Sequence, residues 1–116
     1  MRVLIVDDNQ GMRLLIRRFF SDAPAEFVEC AGGAQAVEEC STTRPDLILM
    51  DIMMPDVDGL EATRCITRMF PGVRIVILTD YDDPGLRSEA QRAGASDYFL
   101  KEDLSALRAL LLRDIS

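Results

Sequence analysis

The chain predicts a doubly wound α/β fold, a five-stranded parallel sheet with helices on both faces, and three observations lead there. Apolar runs alternate with helix-period segments from one end of the sequence to the other, five of each. Three of the runs, at 3–6, 47–50 and 75–78, are apolar at every position, the pattern of strands covered on both faces. The other two, at 26–30 and 98–100, are alternating or short, which is the pattern of sheet edges. Sorted this way, the strands take the order 2-1-3-4-5, that of flavodoxin-like folds.

Each element has its own signal. The first strand, Val3-Leu4-Ile5-Val6, ends in two aspartates. The helix at 10–21 follows, with Met12, Leu15, Ile16 and Phe19 on one stripe and Arg13, Arg17 and Arg18 mostly off it. Glu26-Phe27-Val28-Glu29-Cys30 alternates polar and apolar, so one face of that strand is less buried. The helix at 33–42 is expected to bury Val37 and Cys40. After the strand at 47–50, the helix at 58–70 turns Ala62, Ile66 and Met69 inward and stops at Pro71-Gly72. The strand at 75–78 leads to a shorter helix at 84–93, where Pro84 suits the first helical position and Gly94 the C-cap. Tyr98-Phe99-Leu100 is the last strand, and the helix at 103–113 puts Leu104, Leu107 and Leu111 on one face.

Bulk composition narrows the function classes. The length of 116 residues fits one domain over 1–116, large enough for a core without disulfides or a metal staple. A content of 48% hydrophobic and 28% charged residues is globular, not disordered. The net charge of −7 argues against nucleic-acid binding through this domain, which would need cations facing phosphates. Cys30, Cys40 and Cys65 lie in unrelated segments with no C-x-x-C pair, which predicts reduced, inert thiols and a cytoplasmic location. With no histidine, a zinc site is not expected. The first apolar run is too short for a signal peptide, and no run reaches the length of a membrane span.

In open α/β sheets, ligands bind beyond the carboxyl ends of the strands. Those ends carry Asp7 and Asp8 after the first strand, Asp51 after the third, Thr79 after the fourth and Lys101 after the fifth. Parallel strands bring all five to one edge. Carboxylates about 5 Å apart repel by roughly 3 kcal/mol at an effective dielectric of ~20, so the cluster suits a hard divalent cation such as Mg²⁺. A carboxylate is also a nucleophile able to form an aspartyl phosphate. Lys101 then offers positive charge, and Thr79 a hydroxyl hydrogen bond, to a transferring phosphoryl group. Singly, each residue has a plainer reading: turn formers and caps for the aspartates, a solvated charge for Lys101, edge packing for Tyr98. Jointly, each at its own strand end, they favour the chemical reading.

The motifs in which these residues stand resemble those of the two-component response-regulator receiver domain. VDDN at 6–9 is similar to the acidic turn of receivers, and DIMMPDVDG at 51–59 to their phosphoacceptor loop. LTDYDD at 78–83 resembles the loop of the switch threonine, and GASDYFLKED at 94–103 the loop of the lysine. The four appear in family order and span nearly the whole chain. The resemblance implies Asp51 as phosphoacceptor, and Asp8, Asp7, Asp51 and the Met53 backbone carbonyl as Mg²⁺ ligands. It implies Thr79 and Tyr98 as the switch pair and Lys101 as the phosphate-binding lysine. The implied partner is a sensor histidine kinase or histidine phosphotransfer protein, since this chain has no histidine of its own. The implied output is a change at the surface of the fourth helix, fifth strand and fifth helix, read through phosphorylation-dependent homodimerisation or an attached domain.

Two residues depart from the pattern. Glu102 follows the lysine where many receivers have proline, so a trans peptide is expected. A lysine followed by an acid is frequent among regulators joined to a helix-turn-helix DNA-binding domain, which makes the chain resemble the N-terminal part of such a regulator; a stand-alone regulator is the alternative. Asp80 occupies a position where receivers usually carry a small residue, and its carboxylate either opposes an incoming donor or faces solvent. Other classes fit less well. An aspartyl-phosphate phosphatase needs an acid two residues after the nucleophile, where this chain has Met53. A flavodoxin-type carrier needs a hydroxyl- and glycine-rich phosphate loop, where this chain has Asp7-Asp8-Asn9-Gln10. The expectation is a signalling phosphoacceptor, not a turnover enzyme.

Overall fold

The computed structural model describes residues 1–115; Ser116, the last residue of the domain expected over 1–116, lies outside the described residues. Along the chain run β1 (Arg2–Val6), α1 (Gln10–Phe19), β2 (Glu26–Cys30), α2 (Gly33–Thr43), β3 (Leu47–Met50) and α3 (Gly59–Met69). Then come β4 (Arg74–Thr79), α4 (Pro84–Ala93), β5 (Asp97–Leu100), a 3-10 turn (Lys101–Asp103) and α5 (Leu104–Ile115). All neighbouring strands are parallel, in the order β2-β1-β3-β4-β5. The three uniformly apolar runs are the central strands, and the alternating and short ones are the edges, as expected from their patterns.

The sheet divides the interior in two. Leu4, Val6, Ile48, Met50, Ile75 and Ile77 point to the side of α2, α3 and α4, and pack with Ala36, Cys40, Ala62, Ile66 and Ala90. Val3, Ile5, Leu47, Leu49, Val76 and Leu78 point the other way, onto Ile16 and Phe20 and onto Leu104, Leu107 and Leu111. This is the period of two along each central strand, buried on both faces.

Helix ends follow local chemistry. Asn9 caps α1 by accepting from the Met12 amide (2.9 Å), Asp58 caps α3 through the Glu61 amide (2.9 Å), and Asp83 caps α4 through Gly85 and Leu86. Gly94 ends α4 at φ 111°, a conformation that favours glycine and was expected there.

Two side chains assigned inward by spacing lie outside: Leu15 and Met69 are 48% and 57% exposed. In both helices the buried stripe continues at the fourth residue instead, from Ile16 to Phe20 and from Ile66 to Phe70. Strands β4 and β5 also start earlier than their apolar runs, at Arg74 and Asp97. Those two residues form an ion pair (2.9 Å), and Arg74 also bonds Asp114 of α5, so paired charges extend the strands where hydrophobicity stops.

Candidate functional site

Strand register builds the site. Val6 lies level with Cys30 on one side and Met50 on the other, and Met50 lies level with Ile77. Asp7 and Asp51 therefore leave the sheet side by side, and the Asp51 amide donates to the Val6 carbonyl (2.9 Å). Thr79 ends β4 level with Leu100, so Lys101 emerges next to it at the same edge.

The three aspartates converge: Asp7, Asp8 and Asp51 each offer a carboxylate oxygen, all within 4.8 Å of one another. Asp7 and Asp51 are buried and Asp8 is exposed. The Lys101 ammonium lies 2.9 Å from Asp7 Oδ2 and 3.5 Å from Asp51 Oδ1. Asp7 Oδ1 accepts from the Asn9 amide (2.9 Å), and the Asp7 carbonyl accepts from Arg13 (2.7 Å), which fixes the turn. An all-oxygen donor set beside an ammonium fits a hard cation such as Mg²⁺, which takes one or two carboxylates and keeps water or phosphate oxygens.

Electrostatics set Asp51 apart. Burial pushes its carboxyl up to about 6, and the Asp7 charge adds to this, while Lys101 and the Ile52 amide pull the other way. Burial wins despite the ammonium 3.5 Å away. For Lys101 the balance is reversed. Burial opposes its charge, but the Asp7 hydrogen bond and the charges of Asp51, Asp7 and Asp80 outweigh it and raise the lysine.

Thr79 is fully buried and Tyr98 half-buried, and one residue joins them. The Tyr81 amide donates to Thr79 Oγ1 (3.4 Å), and the Tyr81 carbonyl accepts from the Tyr98 hydroxyl (2.5 Å). Arg87 of α4 lies over the Tyr98 ring, 4.5 Å from its centroid. Thr79 thus ends its strand at the acidic edge and Tyr98 lies against α4, with the β4–α4 loop linking the two.

The loop from β3 to α3 is closed by the Gly59 amide on the Ile52 carbonyl (2.8 Å). A Cβ at Gly59 would collide with the Asp51 carbonyl oxygen, so the loop doubles back tightly enough to require glycine. Met53 lies on this loop with its side chain 55% exposed, and among the described residues its backbone carbonyl accepts no hydrogen bond. Asp80 has a side chain 73% exposed, yet its carboxylate lies 4.0 Å from the Lys101 ammonium. It borders a cleft of about 260 Å³ lined also by Asn9, Gly11, Met12 and Leu15. The Lys101–Glu102 peptide is trans.

Of the expected residues, Asp7, Asp8, Asp51 and Lys101 come together; Thr79 ends its strand at the same edge, Met53 lies on the β3–α3 loop, and Tyr98 is tied to Thr79 through Tyr81. Arg13, Tyr81 and Asp56 were not singled out from sequence. Arg13 fell off the apolar stripe of α1, which signals exposure equally well; Tyr81 acts through its own backbone groups, and the Asp56 carboxylate accepts from the distant Gly33 and Ala34 amides, ties that leave no trace in composition. No helix among the described residues is long and apolar enough to cross a membrane.

Residues 3–112 match the family described as the response regulator receiver domain. The chain is 39% identical over 109 residues to the transcriptional regulatory protein DegU of Brevibacillus brevis, covering 91% of this chain and 46% of that protein. It is 32% identical over 108 residues to the sporulation initiation phosphotransferase F of Bacillus subtilis (strain 168), covering 92% of this chain and 87% of that one. Among solved structures, a LuxR-family two-component response regulator from Aurantimonas sp. SI85-9A1 superposes with a TM-score of 0.85 at 33% identity, over 95% of this chain and 84% of that one. The chain spans about half the length of several curated relatives it matches, DegU among them.

Proposed function

The chain belongs to the response regulator receiver domain family of two-component systems, and on that premise we propose that Asp51 is its phosphoacceptor. The observation that carries this reading is the buried Asp51 carboxylate set between Asp7, Asp8 and the Lys101 ammonium at the end of β3. A sensor histidine kinase or histidine phosphotransfer protein supplies phosphohistidine, and the apolar side chains of Met12 and Leu15 beside the site give such a partner a surface to rest on. An Asp51 carboxylate oxygen attacks phosphorus, the P–N bond breaks, and the imidazole leaves with the electron pair and is protonated from solvent. Asp8, Asp7, Asp51 and the Met53 carbonyl would hold Mg²⁺, which when bound neutralises charge on the transferring group. Lys101 binds a phosphoryl oxygen and Thr79 donates its hydroxyl to another.

Thr79 and Tyr98 form the switch. Drawing Thr79 toward the phosphoryl group pulls on the Tyr81 amide, and the Tyr81 carbonyl is the acceptor that holds Tyr98 in place. Releasing Tyr98 reshapes the surface of α4, β5 and α5, and phosphorylation shifts a population between two states. That surface serves homodimerisation or contact with an attached DNA-binding domain, as in the N-terminal part of a larger regulator. The domain acts as a stoichiometric cytoplasmic phosphoacceptor with slow self-dephosphorylation, not a turnover enzyme. Incubation with acetyl phosphate and Mg²⁺ is expected to add one phosphoryl group by intact mass, and Asp51→Asn to abolish it. Undiminished labelling of Asp51→Asn would remove the assignment.

A further inference from the structure

The N-terminus of α2 lacks a cap of its own. Its N-cap residue is Gly32, which has no side chain to accept from the first helical amides. The acceptor comes from elsewhere: Asp56, on the β3–α3 loop, takes the Gly33 amide through Oδ1 and the Ala34 amide through Oδ2, both at 3.2 Å. Backbone donors at Val57, Ala34 and Gly33 hold its carboxyl below the usual carboxylate range, so it stays charged at neutral pH. The fit is close. A Cβ on Gly32 would stand 2.6 Å from Asp56 Oδ2, and one on Gly33 would collide with the Val57 carbonyl oxygen.

The same loop carries Met53, three residues before Asp56. Its other hydrogen-bonded ties lie at its ends, where Gly59 closes onto Ile52 and Asp58 caps α3, while Met54 and Val57 pack against the core. Neither backbone group of Met53 or Met54 makes a hydrogen bond among the described residues. Ile52 before Met53 is buried and tied to Gly59, and Met54 after it packs on the core, so Asp56 is the next hydrogen-bonded restraint on the far side of the stretch that presents the Met53 carbonyl. We infer that Asp56 is a positioning residue for the metal site: by capping α2 across the fold, it holds the β3–α3 loop where the Met53 carbonyl can meet the cation. This rests on the phosphoacceptor reading and extends it, because α2 becomes mechanically coupled to the site although it contributes no residue there. Coupling of this kind is reciprocal, so cation binding also tightens the α2 cap.

Mg²⁺ titrations of the domain, followed by amide chemical shifts, test this in wild type, Asp56→Ala, Asp56→Asn and Gly32→Ala. Asp56→Ala is expected to weaken Mg²⁺ binding about tenfold, the lower end of what losing a group that supports a metal ligand costs. Asp56→Asn keeps an acceptor oxygen without the charge and is expected to recover most of the affinity. Gly32→Ala keeps the charge but displaces the carboxylate, and is expected to weaken binding as Asp56→Ala does. In wild type, Mg²⁺ should also slow hydrogen exchange at the Gly33 and Ala34 amides, and Asp56→Ala should remove that effect. Equal weakening by Asp56→Ala and Asp56→Asn, with Gly32→Ala at wild-type affinity, would mean that only charge matters and would overturn the inference. A lowered melting temperature with unchanged Mg²⁺ affinity in Asp56→Ala would overturn it too, leaving a plain helix cap. Wild-type protein that binds no Mg²⁺ would bring down the metal reading itself, and this inference with it.

Discussion

Asp51 is a carboxylate that the fold tolerates rather than favours. Its pKa is raised from 3.8 to about 6, so the folded chain holds this proton more tightly than the unfolded chain. Stability contributed by the protonated form is full below about pH 4, is lost as pH rises toward about 6, and is absent at pH 7. Two pKa units correspond to roughly 3 kcal/mol. Without Mg²⁺, Asp51→Asn is therefore expected to be more stable than wild type at pH 7 by up to ~3 kcal/mol, with the gain vanishing near pH 4. Urea denaturation at the two pH values measures it, and a less stable Asn variant at pH 7 would contradict the burial cost. Asp80 presents a weaker effect of the same sign of charge. Its carboxylate is mostly in solvent but stands 4.0 Å from Lys101, at the mouth of the site. Asp80→Ala is expected to speed labelling by acetyl phosphate about threefold at low salt, with less gain as salt screens the charge. Rates that match wild type across a salt series would make Asp80 a surface residue only.

At the scale of elements, the proposed switch puts the conversion of chemistry into shape in the β4–α4 loop. Thr79→Ala removes the hydroxyl that meets the Tyr81 amide but leaves Asp51, Asp8 and Lys101 in place. It should still accept phosphate, while amide shifts at Tyr98 and along α5 respond to phosphorylation far less than in wild type. An unchanged response would count against the switch. Strand order and the converging strand ends were legible because burial leaves uniform apolar runs and the parallel register follows from them. Helix α4 was legible to the residue, since Pro84 and Gly94 both mark its ends. Less legible were Leu15 and Met69, where one stripe admits two neighbouring apolar positions and only packing decides between them. The start of β4 at Arg74 was hidden for another reason: a salt bridge carries the strand past its hydrophobic run. The tie from Asp56 to α2 was invisible because it joins an aspartate to backbone amides more than 20 residues away.

For the molecule as a whole, the proposed cation binding would be linked to folding. Mg²⁺ that binds the folded form alone must raise the melting temperature, and the rise must grow with concentration. Asp8→Ala, lacking the exposed carboxylate of the cluster, is expected to lose most of that rise; an equal rise in the variant would argue against the metal site. The sheet separates the two halves of the core, so α2, α3 and α4 share one interior and α1 and α5 the other. Tyr98 packs against the first of these interiors. It also has an optical consequence. The chain has no tryptophan and two tyrosines, Tyr81 and Tyr98, and these two are hydrogen-bonded to each other through the hydroxyl and the carbonyl. All ultraviolet emission excited beyond the phenylalanine band therefore comes from these two residues, where the proposed switch lies, and a phenol that leaves its carbonyl acceptor changes its brightness. If the proposed switch moves, the unlabelled protein carries its own lamp there, and every other element stays dark.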